Sequence, residues 1–109
     1  MSRLTTEIWV AAYLTRLRLA AIPAFIVQKG DRTAGAVLVK VNTLDGSACC
    51  YQRSFDLMTG DRRWIVLAEG DEALVDESVV KQKSFDPDLW VIEIETKAGH
   101  HLLDEPGLD

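Results

Sequence analysis

Arg62-Arg63-Trp64 is the one polar-aromatic cluster in this chain with the chemistry of recognition. Arginine and tryptophan are enriched at binding hot spots, and an arginine pair can hold a carboxylate or phosphate. The competing reading packs Trp64 into the core and pairs both arginines with the acidic C-terminal half. Asp86 and Asp88, either side of Pro87, offer a second candidate, an acidic pocket. Each also has a structural explanation as a turn former, as the other carboxylates do as helix caps or solvated strand positions. The adjacent Cys49-Cys50 and His100-His101 are less suggestive. Neighbours on a strand point to opposite faces. The cysteines are therefore expected as free thiols, one inward and one outward, without the Cys-x-x-Cys spacing of a redox pair. No spacing predicts a metal site, and a Cys–His nucleophile pair has no local signature. Gly30 and Gly35 lack the Lys-Ser/Thr ending of a phosphate loop and are read as a strand-to-strand turn. The expected set of catalytic residues, cofactors and metals is therefore empty.

These residues must be positioned by a small α+β domain. Thr5 or Thr6 can cap a helix running to about Ala20 or Ala21, closed by Ile22-Pro23. Its apolar positions form two opposed stripes. Val10, Leu14, Leu17 and Ala21 lie on one side with Tyr13 beside them, and Ile8, Ala12 and Leu19 lie on the other. A surface helix needs only one apolar face, so the second stripe calls for cover by another element or a second copy of the chain. Ala24–Gln28 reads as a buried strand and Ala36–Asn42 as the strongest strand by propensity. Asp45-Gly46 supplies a hairpin turn into Ser47–Ser54. A loop at 56–61 leads to a strand at Arg63–Leu67. A second helix follows from about Asp71 to Ser84, with Leu74, Val75, Val79 and Val80 as its apolar set. Asp86-Pro87-Asp88 then runs into a strand over Leu89–Thr96, where Trp90, Ile92 and Ile94 alternate with Glu93 and Glu95. His100–Leu103 is expected as its short hairpin partner.

The resulting expectation is one domain over residues 1–109. It has a mostly antiparallel sheet of five to six strands, two helices on one face and a loose acidic tail at 104–109. Apolar content of 48% and charged content of 27% are ordinary for a globular chain. The apolar runs are too short to span a bilayer, and Glu7, Arg16 and Arg18 break any likeness to a signal peptide. Residues 1–63 hold nine basic against five acidic residues, and residues 64–109 three against twelve. Two halves lying against each other would compensate. An overall charge of −5, with no basic cluster larger than Arg62-Arg63, speaks against nucleic-acid binding.

Several segments together carry a family likeness: Thr6-Glu7-Ile8-Trp9-Val10 with Ala12-Tyr13-Leu14, Ile22-Pro23-Ala24, Gly35–Asn42 with Leu44-Asp45-Gly46, Arg63-Trp64, and above all Phe85–Glu95. The chain resembles the small bacterial family catalogued as domain of unknown function 1491. The resemblance implies a stand-alone cytoplasmic protein without an assigned activity, cofactor or site residue. The reading that results is a non-enzymatic interaction or regulatory module, with a protein partner or homodimer contact at Ile8, Ala12 and Leu19. The alternative is a small enzyme or ligand-binding domain using Asp86 and Asp88 or an anion site at Arg62 and Arg63.

Overall fold

The protein was analysed as a computed structural model, which describes residues 4–55 and 58–108, with the side chain of Phe55 excepted. Part of the loop expected at 56–61, and Asp109, lie outside the described residues. The order is α1 (Thr6–Leu19), β1 (Ala24–Gln28), β2 (Val37–Asn42), β3 (Ser47–Phe55), β4 (Arg62–Asp71), α2 (Glu72–Phe85) and β5 (Trp90–Glu95). The five strands form one sheet in the order β1-β5-β2-β3-β4. Every pairing is antiparallel except β2 with β5, which is parallel. The class is α+β, and β2 and β3 form the antiparallel hairpin that Asp45-Gly46 predicts.

Local chemistry accounts for both helices. Thr5 caps α1 by accepting the Ile8 N–H, Glu7 sits in the first turn, and Arg16 and Arg18 sit in the last, where the helix dipole favours them. Ala21, at φ 60, closes the helix in a Schellman turn, with Ile22 N–H bonded to Leu17 O and Ala21 N–H to Arg18 O. Helix α2 follows β4 without a linker, and its first N–H, from Glu72, bonds Gly46 O across the hairpin turn.

The two helices lie on opposite faces of the sheet, not on one. Val37, Val39 and Val41 of β2 and Trp90, Ile92 and Ile94 of β5 pack with Trp9, Val10, Tyr13 and Leu17 of α1. Leu38, Cys50 and Val91 pack with Val75 and Val79 of α2. Strands apolar on both sides need cover on both sides, and β2 is buried at all six positions. Only Val75 and Val79 of the expected α2 set are buried; Leu74 and Val80 are exposed.

Three further expectations change for topological reasons. Strand β1 is an exposed edge strand, with Phe25, Ile26 and Val27 open on the outside of β5. The 30–36 loop therefore joins strands that are not neighbours and crosses over the chain entering β5. A Cβ on Gly30 would stand 2.0 Å from the Asp88 carbonyl oxygen, and one on Gly35 would stand 2.6 Å from it. Asp31 N–H bonds that same oxygen, and Asp31 O accepts the Trp90 indole N–H at 2.7 Å.

The hairpin expected at His100–Leu103 does not form, because β5 already pairs on both edges. That segment turns across α1 instead. Tyr13 Oη donates to His101 O at 2.8 Å, and His101 Nδ1 accepts the Leu103 N–H at 2.9 Å. Burial holds the His101 imidazole below its ordinary pKa, which keeps Nδ1 free to accept. The segment read as a loose tail is packed over β3 and β4 beside α1. Leu103 and Leu108 are buried in the α1-side core, Pro106 O accepts from Arg16, and the His101 ring lies 4.7 Å from that of Tyr51.

Cys49 and Cys50 are free thiols pointing to opposite faces. Burial pushes the Cys50 thiol up to about 12 and raises that of Cys49 as well, so little reactive thiolate forms near neutrality. Two thiols should titrate when the protein is unfolded without reductant, and Cys50 should be unreactive in the native protein. Finding no thiol at monomeric mass would establish a bond between the neighbours instead.

Candidate binding surfaces

Strand alternation splits the Arg62-Arg63-Trp64 cluster. Trp64 pairs across the ladder with Arg53 and turns toward the α1 side, as does Arg62, while Arg63 turns to the opposite side and is exposed. The Trp64 indole N–H donates to Leu108 O at 2.9 Å, and its ring lies 5.4 Å from that of Trp9. The Arg53 guanidinium lies over both tryptophans, 4.7 Å from the Trp9 ring and 5.1 Å from the Trp64 ring. Such cation–π contacts gain strength when desolvated. Arg53 and Trp9 escape a reading by sequence clusters. Counting back equally on both sides of Met58-Thr59 would have set Arg53 opposite Trp64.

The β3–β4 hairpin continues beyond the first residue of β2. Between this projecting arm, the start of α1, the 30–36 loop and the end of α2 runs a cleft of about 850 Å³. Arg53 and Arg62 line it from the arm, Trp9 and Thr6 from α1, and Gln82 and Asp86 from α2 and its cap. The start of α1 is not itself an anion site, because Thr6 N–H and Glu7 N–H already bond Thr33 O and Arg32 O. The Trp9 indole N–H is buried with no hydrogen-bond acceptor among the described residues, which costs about 1–3 kcal/mol relative to a bonded donor.

Asp86 and Asp88 do not face each other across a pocket. Asp86 Oδ1 accepts the Asp88 N–H at 3.0 Å to shape the turn, and the Asp88 side chain is exposed. The strongest concentration of charge lies elsewhere. Lys40, buried on β2, places Nζ 2.7 Å from Glu72, 2.6 Å from Asp76 and 3.5 Å from Glu93. Asn42 also donates to Glu72 at 3.1 Å. Burial alone would lower the Lys40 pKa. The hydrogen bonds that Lys40 donates to Asp76 and Glu72 and the charge of Glu93 outweigh it and raise the value above the ordinary lysine range. A charge inside an apolar run is the one sequence signal that could have shown that Lys40 needs partners. Which carboxylates supply them depends on α2 crossing this face. Among the described residues, no group of three His, Cys, Asp or Glu could hold a metal ion.

The remaining candidates lie on α1. Ile8 is 53% exposed and Leu19 81%, and Ala12 between them is exposed as well. At 100° per residue they sit opposite Val10 and Leu17, which are buried against the sheet. Helix α2 could have covered them, but it occupies the other face. No helix among the described residues is long and apolar enough to cross a membrane.

The model of a family described as "Protein of unknown function (DUF1491)" matches residues 4–104. The chain belongs to the DUF1491 family. It is similar to a DUF1491 family protein from Caulobacter crescentus CB15, solved as a crystal structure, with 39% sequence identity and a TM-score of 0.85. That match covers 95% of this chain and 98% of the other. An NMR structure of a DUF1491 family protein from the same organism matches at 38% identity and a TM-score of 0.84, covering 97% of each chain. Protein Atu0922 from A. tumefaciens matches at 29% identity and a TM-score of 0.74, covering 87% of each. No curated protein matches the chain. The family description carries no activity.

Proposed function

We propose that this DUF1491 protein is a non-enzymatic cytoplasmic interaction module that works as a homodimer through the outward face of α1. One observation carries the reading: Ile8 and Leu19 are uncovered because α2 is committed to the opposite face of the sheet. Apolar patches left open on a folded domain commonly mark interfaces, and two-fold dimers are the commonest solution. An antiparallel pair of α1 helices would set Ile8 against Leu19 of the second copy, with Ala12 and Thr15 at the close crossing. The same two-fold would bring Glu7 near Arg18 of the partner, so the flanking charges would attract.

Sedimentation of wild type against an Ile8→Glu, Leu19→Glu double variant tests this. Both positions are exposed, so the variant should fold, and it should sediment at half the wild-type mass. Monomeric behaviour of both proteins would end the proposal.

A further inference from the structure

We propose that the α1-side wall of the cleft beside the β3–β4 arm binds a small oxyanion, a carboxylate or a phosphate, between Arg62, Arg53 and the indole N–H of Trp9. This site lies on the buried face of α1 and does not rest on the dimer contact at Ile8 and Leu19.

Trp9 is only 4% exposed and lines the cleft, yet its indole N–H meets no acceptor among the described residues. The other two indoles are satisfied. Trp64 donates to Leu108 O at 2.9 Å, and Trp90 donates to Asp31 O at 2.7 Å. Buried donors are nearly always bonded, so one left over in a cleft wall calls for an acceptor from outside the chain.

The charges around Trp9 make that acceptor anionic. The Arg53 guanidinium lies 4.7 Å from the Trp9 ring centre. Across the ladder Arg53 stands opposite Trp64 and Phe55 opposite Arg62, so both arginines occupy the α1 side of the arm, on one diagonal. Diagonal neighbours are about 7–8 Å apart, a gap that two long guanidinium side chains can close on a single bound group. Arg62 makes no ion pair or hydrogen bond among the described residues. Asp86, the one carboxylate among the described residues that line the cleft, is held by its own turn. A planar guanidinium matches the oxygens of a carboxylate or phosphate, and the bonds are charge-assisted. Behind them stand Val37 and the Trp9 ring, both part of the apolar core. That wall offers no further polar partner, which suits one compact head group. Arg63 takes no part, because strand alternation turns it to the opposite side.

The experiment is a nitrogen-15 NMR titration of the full chain with sodium phosphate and, separately, sodium acetate, at ionic strength held constant with sodium chloride. At least one anion should move the Trp9 indole N–H saturably, while the Trp64 and Trp90 indoles barely shift. Saturation by both supports a general oxyanion site, and saturation by one alone assigns the head group to that class. Arg62→Gln should weaken binding about tenfold, the loss of one charge-assisted hydrogen bond. Arg63→Gln, its neighbour on the other side, should leave binding unchanged, and the amide spectrum of each variant reports that the fold is intact. A Trp9 indole that neither anion shifts saturably, equal shifts of all three indoles, or equal weakening by the two variants would each overturn the proposal.

Discussion

Ile92→Ala should destabilise the domain by about 2–5 kcal/mol, measured as the shift in a denaturant midpoint at unchanged slope. Ile92 has no exposed surface and lies on β5, the interior strand that joins edge strand β1 to β2. Its neighbours on the ladder are Ile26 and Val39, and α1 closes over Val39 and Ile92. No flexible element stands ready to fill the space left by three lost carbons, so the upper half of the range is expected. Glu93→Gln on the same strand is the control. It weakens one arm of the Lys40 network at 3.5 Å and should cost no more than about 1 kcal/mol. Equal and small effects from both would show that β5 has been assigned to the wrong face.

Lys40→Met should cost about 2–3 kcal/mol. Breaking a buried charge set by removing one partner is usually worth more, but Glu72 and Asp76 keep a third to a half of their surface in water and can partly resolvate. The loss arises because Glu72, Asp76 and Glu93 are left together without a cation. The triple variant Lys40→Met, Glu72→Gln, Asp76→Asn should therefore recover much of it. The network also sets a pH dependence. The folded pKa of Lys40 is raised above that of a free lysine, so its contribution is complete below the ordinary lysine range and is lost as pH rises through the folded value. The gap between wild type and Lys40→Met should hold through neutrality and narrow only in strong alkali. A Lys40→Met variant as stable as wild type would show that α2 is held by Val75 and Val79 alone.

Residues show where sequence reading succeeds. Trp90, Ile92 and Ile94 are buried as their alternation predicts, because a one-residue slip would carry Glu93 and Glu95 into the core. Val91 was the overlooked sign. It is as apolar as its neighbours and equally buried, and with the unbroken run Val37-Leu38-Val39 it spells a sheet covered on both sides. β1 could not be read in the same way. Ala24-Phe25-Ile26-Val27 has the composition of an interior strand, and only the arrival of β5 between β1 and β2 leaves it at an edge. For the binding surfaces, the exposed α1 stripe was legible from helical phase alone. The cleft was not, since it joins residues from positions 4 to 107 that no local pattern links.

The strand order also dictates a sequence of events during synthesis. β1 and β2 are made early, yet in the finished sheet they flank β5, the last strand to be made. A nascent chain can close the β2–β3–β4 hairpins, but its middle stays open until residue 95 has left the ribosome. Until then Val37, Val39 and Val41 line an unpaired apolar edge. The two sheet edges must also avoid joining directly, which would shut β5 out. The two glycines at 30 and 35 help here: they shape a connection that passes over the gap and holds it one strand wide. The domain is therefore expected to complete its fold only when β5 has emerged and slots in between two partners already waiting.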